Sequence, residues 1–414
     1  MTWLPEWRVT VGDDVYTNVT SASYSTGRMD IDRQATAGYC RVEIINTTGA
    51  DFTINITEPV TLELKNSSGT YITVFSGEVS DFNIGVRSPD ETGFITYATI
   101  LGVGSLAKLT KAIYNTALAE GLDGAQIAAI LGASLSLSWA EITPTTTWAT
   151  YSPTVTWANA ETYVGTVDEG FYTMISQAAQ PTVKSQTLVD QIANSALGQV
   201  YENTATGLVN YDDADHRSDY LATYGYTTLD ASYATPTSIQ SQTQIARIRN
   251  SLIYKYGTGY ASTYSISDSD SVATYGLYER SFESNIKNLT DITDIGSREL
   301  NLRKSPRGSL GAITFRLDNP DMPNAMRNSL ISVFFGQPVL ITNLPSNLLG
   351  GQFDGFVEDI TMKATPTYVD LTLYVSATDF SLSITQWDEI QPASLAWTGV
   401  NAILTWTNAT GALT

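Results

Sequence analysis

The sequence predicts an α+β chain, mostly β, with two similar β-barrel domains and an α/β region between them. Three observations predict it. Alternating apolar and polar residues crowd both ends of the chain, helical spacing is confined to its middle, and one strand-sized motif occurs twice. Near the start, Trp7-Arg8-Val9-Thr10-Val11 alternates, Gly12-Asp13-Asp14 turns and Val15 resumes, a hairpin signature. Residues 42–45, 60–64, 71–75 and 94–101 follow as strands at sandwich-like or barrel-like spacing, separated by Gly, Asn, Pro and Ser.

From residue 106 the period changes. Leu106, Leu109, Ile113, Ala117 and Leu118 recur at helical spacing. Asp123 is placed to cap a second helix that carries Ile127, Ile130 and Leu131 and stops near Gly132. Residues 166–181 and 185–198 each read as an amphipathic helix, and a hairpin is expected from strands 198–201 and 208–211 around Thr206-Gly207. Residues 212–243 are polar and rich in Tyr and read as loop; 245–256 read as a strand, 291–302 as a short helix and 312–374 as strands again.

The internal repeat is the most specific signal. Phe75, Gly77, Val79 and Asp81 recur as Phe353, Gly355, Val357 and Asp359, in the pattern F-x-G-x-V-x-D followed by an apolar residue. Upstream, Glu58-Pro59-Val60 matches Gln337-Pro338-Val339, with Pro lying 18 and 17 residues before its glycine. Residues 42–46 pair with 315–319, and 97–101 with 369–373. At period two the four motif residues share one face, and glycine there permits a close backbone approach or a bend. The two aspartates are placed at the rim, where satisfying loop amides competes with any chemical role.

A second repeat is rich in Trp. Trp139-Ala140-Glu141-Ile142-Thr143-Pro144, with Trp148 and Trp157, matches Trp387-Asp388-Glu389-Ile390-Gln391-Pro392, with Trp397 and Trp406. Leaving indoles wet is unfavourable, so each stretch either docks on a neighbour or packs on its own chain. Residues 386–414 are expected to be an extended interaction arm, anchored by Trp387, Trp397 and Trp406.

Composition excludes several functions. Among 414 residues, 43% are hydrophobic but only 15% are charged, so hydroxyls and amides make up much of the surface and suit burial in an assembly. Acidic residues outnumber basic ones 42 to 22, and the net charge of −20 opposes a surface that grips nucleic acid. The lone Cys40 forms no internal disulfide and sits in a strand-like stretch as a core thiol. No signal-peptide pattern and no membrane-length apolar run is present, so synthesis in a cytoplasm is expected. The lone His216 lies in the acidic run Asp212-Asp213-Ala214-Asp215-His216-Arg217-Ser218-Asp219, which lacks the Gly and distal Glu of a calcium loop. A solvated loop paired with Arg217 is expected there, and no catalytic, cofactor or metal site is expected in the chain.

Taken in order, several stretches resemble the minor tail, or baseplate-hub, proteins of siphophages, in particular those of actinobacterial phages, which are relatives of contractile-tail hub and late-control proteins. The resemblance spans roughly residues 5–385. It rests on Trp7-Arg8-Val9-Thr10-Val11 through Gly27-Arg28 to Asp81, on Asp123-Gly124-Ala125-Gln126-Ile127, and on Leu188-Val189-Asp190-Gln191-Ile192-Ala193 with Tyr201, Gly207-Leu208-Val209 and Arg217. Arg249-Asn250-Ser251-Leu252-Ile253 and Asp268, Ser271 and Tyr275-Gly276 complete it. The resemblance implies a first barrel domain at 1–107, a helical and Trp-rich connector at 108–180, an α/β domain at 181–288, a second barrel at 289–385 and the arm beyond. It also implies a structural homotrimer at the virion tail tip, assembled in the bacterial host cytoplasm. Such a trimer closes the tail tube, converts six-fold to three-fold symmetry and lines a DNA ejection channel with an acidic or neutral wall. Its implied partners are the tail tube or distal tail ring, the tape measure protein and other tail-tip proteins, with DNA only in transit. Two alternatives stay open: a receptor- or carbohydrate-binding tail-tip protein, and a cell-wall hydrolase. For the latter, only about 30 residues follow the second barrel, fewer than a catalytic domain needs.

Overall fold

Strands from both ends of the chain, with two short ones from its middle, join into one thirteen-stranded sheet, and every α-helix among the described residues except Asn324–Ile331 lies in the segment between the ends. The computed structural model describes residues 3–46, 51–90, 93–136, 163–243 and 245–381. The sheet runs in the order Ser241–Thr243, Gly308–Arg316, Val369–Ala377, Phe353–Ala364, Val19–Gly27, Thr36–Asn46, Gly93–Val103, Tyr71–Asp90, Pro59–Lys65, Trp7–Val11 and Asp14–Tyr16. Pro338–Thr342 also pairs with Phe353–Ala364 and carries Thr227–Asp230 on its other edge. Among the described residues the sheet is open, where the sequence predicts two barrels. Val19–Gly27 is the reason: one edge bonds to Thr36–Asn46 and the other to Phe353–Ala364, so it joins the two halves.

Two blocks of four strands share one spatial order. In the first, Thr36–Asn46, Gly93–Val103, Tyr71–Asp90 and Pro59–Lys65 are neighbours. In the second, Gly308–Arg316, Val369–Ala377, Phe353–Ala364 and Pro338–Thr342 stand in the same positions. The register matches as well: Val60 faces Gly77 and Val339 faces Gly355. Asp81 faces Leu101 and Asp359 faces Tyr374, so 97–101 correspond to 370–374, one step from the pairing read in the sequence. Val42 faces Ile100 and Ile313 faces Leu373, so Val42 corresponds to Ile313 and not to Phe315.

Both motif strands carry a bulge at one site, between Val79 and Asp81 and between Val357 and Asp359. An extra residue reverses the alternation. Phe353, Gly355 and Val357 are buried before the bulge, and Ile360, Met362 and Ala364 after it. The common face expected for Phe75, Gly77, Val79 and Asp81 therefore ends at Val79, and Asp81 is exposed. Asp359 is half-buried, and that burial pushes its carboxyl up to about 6 against a hydrogen bond from Thr361.

The motif glycines stand where backbones meet. A Cβ on Gly77 would lie 2.5 Å from the Val103 carbonyl oxygen, and one on Gly355 2.1 Å from that of Ser376. Gly355→Ala is therefore expected to lower stability by about 2–4 kcal/mol, and Gly77→Ala by somewhat less, as read from denaturant midpoints.

The middle of the chain builds a second core. Helices Asp123–Leu135 and Ser185–Ser195 bury Ile127, Ile130, Leu188 and Ile192 against the hairpin Gln199–Asn203/Leu208–Asp212. Helix Leu289–Arg303 covers a three-stranded sheet of Ser262–Ser267, Ser251–Tyr256 and Glu279–Glu283. Asp123 is the first residue of its helix and not its cap; its buried carboxylate accepts the Phe171 and Tyr172 amides at 3.0 and 2.9 Å. Those bonds belong to an extended segment, so the helix expected over 166–181 is absent: Gly170 sits at φ +83° and Thr173–Met174 pairs with Gly121–Leu122. The helix expected from 106 ends at Leu109, because Ile113 and Leu118 form bridges to Lys184 and Gln177. The expected loop 212–243 contains helix His216–Tyr224 and strand Thr227–Asp230, and the strand expected from 245 begins at Ser251.

Candidate functional site

The two blocks meet along a seam where Gly27 to Ala22 pairs antiparallel with Asp359 to Ala364. At its end Gly27 takes φ +109°, and a Cβ there would lie 2.2 Å from the Glu358 carbonyl oxygen, so the chains meet at a distance only glycine permits. The Arg28 amide donates to that same carbonyl at 2.7 Å.

Glu358 stands at the bulge, on the face where Phe356 and Ser376 are buried beside helix His216–Tyr224. Its carboxylate is fully buried and accepts from Arg28 Nε at 2.8 Å, from Arg217 Nη1 and Nη2 at 2.7 and 3.0 Å, and from Ser376 Oγ at 2.6 Å. Arg217 comes from helix His216–Tyr224 and also donates to Gln199 and Ser381. Burial alone would raise the Glu358 pKa, but the Arg217 and Arg28 guanidiniums outweigh it and hold the carboxyl well below its ordinary range. One carboxylate thus ties together the turn after Val19–Gly27, the second block and the middle of the chain.

Sequence reasoning missed Glu358, which fills an unspecified position of the motif, and placed Arg217 in a solvated loop. Arg217 is buried instead, on a carboxylate 141 residues away. The equivalent of Glu358 in the first block is Ser80, which is exposed and donates to the Leu101 carbonyl at 3.1 Å.

The first block presents the matching edge without a strand on it. Asp81-Phe82-Asn83-Ile84-Gly85-Val86 stands where Asp359-Ile360-Thr361-Met362-Lys363-Ala364 stands in the second block. Both hexamers are apolar at their second, fourth and sixth positions. Met362 and Ala364 are buried at the seam, whereas Ile84 and Val86 are 51% and 58% exposed. Among the described residues no strand pairs with the outer edge of 81–86.

The acidic run forms a separate cluster. His216 Nδ1 lies 2.7 Å from Asp168 and Nε2 3.6 Å from Asp212. The Asp168 hydrogen bond raises the His216 pKa, and burial pushes Asp212 up to about 6. One ligand atom from each lies within 4.8 Å of the others, a spacing that suits a cation. A cation there would compete with the proton that the Asp168 hydrogen bond favours on the ring, since metal binding requires the neutral imidazole. The motif residues Phe75, Val79, Phe353 and Val357 are core, while Trp387, Trp397 and Trp406, with the Trp repeat at 139–157, lie outside the described residues.

No family model and no curated protein matches the sequence. Solved structures do match. The 43 kDa tail protein of prophage MuSo2 from Shewanella oneidensis aligns with a TM-score of 0.55 at 11% identity, over 91% of this chain and 99% of that one. The tail protein from Neisseria meningitidis MC58 aligns with a TM-score of 0.58 at 11% identity, over 92% and 99%. Neither carries the actinobacterial lineage that the sequence resemblance implies. What they share with this chain, across nine-tenths of its length, is the fold of a tail protein.

Proposed function

We propose that the chain is a structural protein of a phage tail, a homotrimeric hub at the end of the tail tube. The observation that carries this reading is the pair of matched edges. Within one chain, Val19–Gly27 covers the 359–364 edge of the second block; the corresponding 81–86 edge of the first block is left apolar and exposed. On the second block, Ser241–Thr243 lies outside Gly308–Arg316 much as Val19–Gly27 lies outside Thr36–Asn46. Repeating the seam between chains sets the 241–243 flank of one copy on the 81–86 edge of the next. This contact is heterologous, and it closes as a ring if each block turns by about one-sixth of a circle. Two blocks per chain then give six from three copies, a match for a six-fold tube.

The fold shared with tail proteins supports this role, and the net charge of −20 suits a channel wall that does not hold passing DNA. A distal tail ring and a tape measure protein are the partners such a hub meets, and the role requires no catalysis. The test is the mass of the purified protein by sedimentation, together with averaged images of assembled tails. Three copies coaxial with the tube end are expected; a monomer or hexamer in the virion, or a position away from the tube end, overturns the hub.

A further inference from the structure

Behind the Glu358 seam lies a cavity of about 300 Å³ lined by Arg28, Arg217, Arg249, Arg280, Arg298 and Arg303. Six arginines at one place stand out in a chain with 22 Lys and Arg against 42 Asp and Glu. At the end nearest the seam, four guanidiniums meet three carboxylates, and a fifth stands beside them. Arg28 and Arg217 share Glu358; Arg249 pairs with Glu299 and Asp32, and Arg280 reaches the same Asp32 at 3.4 Å.

Arg303 is the fifth. It is 7% exposed, and among the described residues it has no carboxylate within ion-pair distance. Its Nη1 donates to the Phe380 carbonyl at 2.8 Å, and its guanidinium lies over the Phe380 ring at 5.0 Å. The other carboxylates lining the cavity are engaged elsewhere: Asp212 with His216, Asp213 with the amides of Asp215 and His216, and Glu283 with Lys255. Arg298 is held by Asp215. Glu299 and Asp32, both beyond ion-pair distance, offset only part of the burial of this guanidinium, so an anion that reaches it is favoured.

We propose that this cavity is an anion site that takes a compact oxyanion of the phosphate class, held between Arg303, Arg280 and Arg249. Forked guanidiniums suit a multidentate oxyanion. The net charge of −20 disfavours a long polyanion over a small one. Arg280 is partly exposed and gives the ligand a way in. Asp32 sits on the turn between Val19–Gly27 and Thr36–Asn46 and bridges Arg249 and Arg280, so an entering anion competes with its carboxylate and bears on the turn beside the seam.

The probe is inorganic phosphate, titrated into the purified full-length protein by calorimetry at ionic strength held constant with sodium chloride, with glutarate and a short single-stranded DNA as parallel arms. The expected result is saturable phosphate binding, weakened at least about tenfold in Arg280→Gln and in Arg303→Lys. Arg280→Gln alters a partly exposed residue and keeps the comparison valid if Arg303→Lys fails to fold. No phosphate binding beyond the chloride control, or equal affinity in wild type and Arg280→Gln, overturns the proposal. Binding of glutarate or DNA without phosphate overturns it equally, in favour of an acidic side chain or a nucleic acid as the occupant.

Discussion

Replacing Glu358 by glutamine is expected to lower stability by about 3–5 kcal/mol at neutral pH, the range for breaking a buried ion pair from one side. The carboxylate is fully buried and both of its guanidinium partners are nearly so. A glutamine there would keep one acceptor oxygen but leave Arg28 and Arg217 without a counter-charge. The pH dependence gives a second readout. The folded-state pKa of Glu358 lies below its unfolded value, so its contribution is fully present above the unfolded value of about 4.3 and fades as pH falls toward the folded one. Glu202, Asp190 and Asp212 act in the opposite sense, because burial pushes them up to about 7, 6 and 6. The difference between wild type and Glu358→Gln therefore isolates Glu358. In urea titrations it should be largest at about pH 6–7 and shrink steadily below about pH 4.5. A difference that is flat with pH would show that Glu358 is not an ionised anchor.

That residue marks where the sequence stops being legible. Strands with one wet face announce themselves by alternation: Val369–Ala377 is buried at every second position before its end, and Trp7–Val11 behaves likewise. The repeat is legible because a strand order used twice keeps glycine wherever backbones crowd. The bulges leave no local trace, since one extra residue looks like ordinary strand until its partner is known. Without them, period two assigns Asp81 to the wrong face. The arginine partners of Glu358 stand 330 and 141 residues away, beyond the reach of any local pattern. The open sheet was hidden for the same reason, because closure depends on what bonds to the second edge of Val19–Gly27. The middle of the chain misleads differently. Residues 166–181 carry helical spacing, yet Gly170 and the Asp123 carboxylate hold an extended path there, a tertiary effect that overrides propensity.

The double substitution Ile84→Lys/Val86→Lys is expected to leave the fold intact and abolish self-association. Both side chains are more than half exposed, so two lysines should shift the unfolding free energy by no more than about 0.5 kcal/mol each. Charged residues on an open edge are a standard block to strand addition, because pairing there would bury an ammonium group against apolar neighbours. If the edge repeats the seam seen at Met362 and Ala364, each contact in the ring is lost, and the association constant should fall at least about 100-fold. Sedimentation at micromolar concentration would then show a monomer where the wild type is a trimer. Met362→Lys is the contrasting control. The same change at the equivalent position, which is fully buried within the chain, should cost about 3 kcal/mol or more and reveal itself as loss of fold. A double variant that sediments with the wild type would place the contact between copies elsewhere. A double variant that unfolds would show that the 81–86 edge already belongs to its own chain's core.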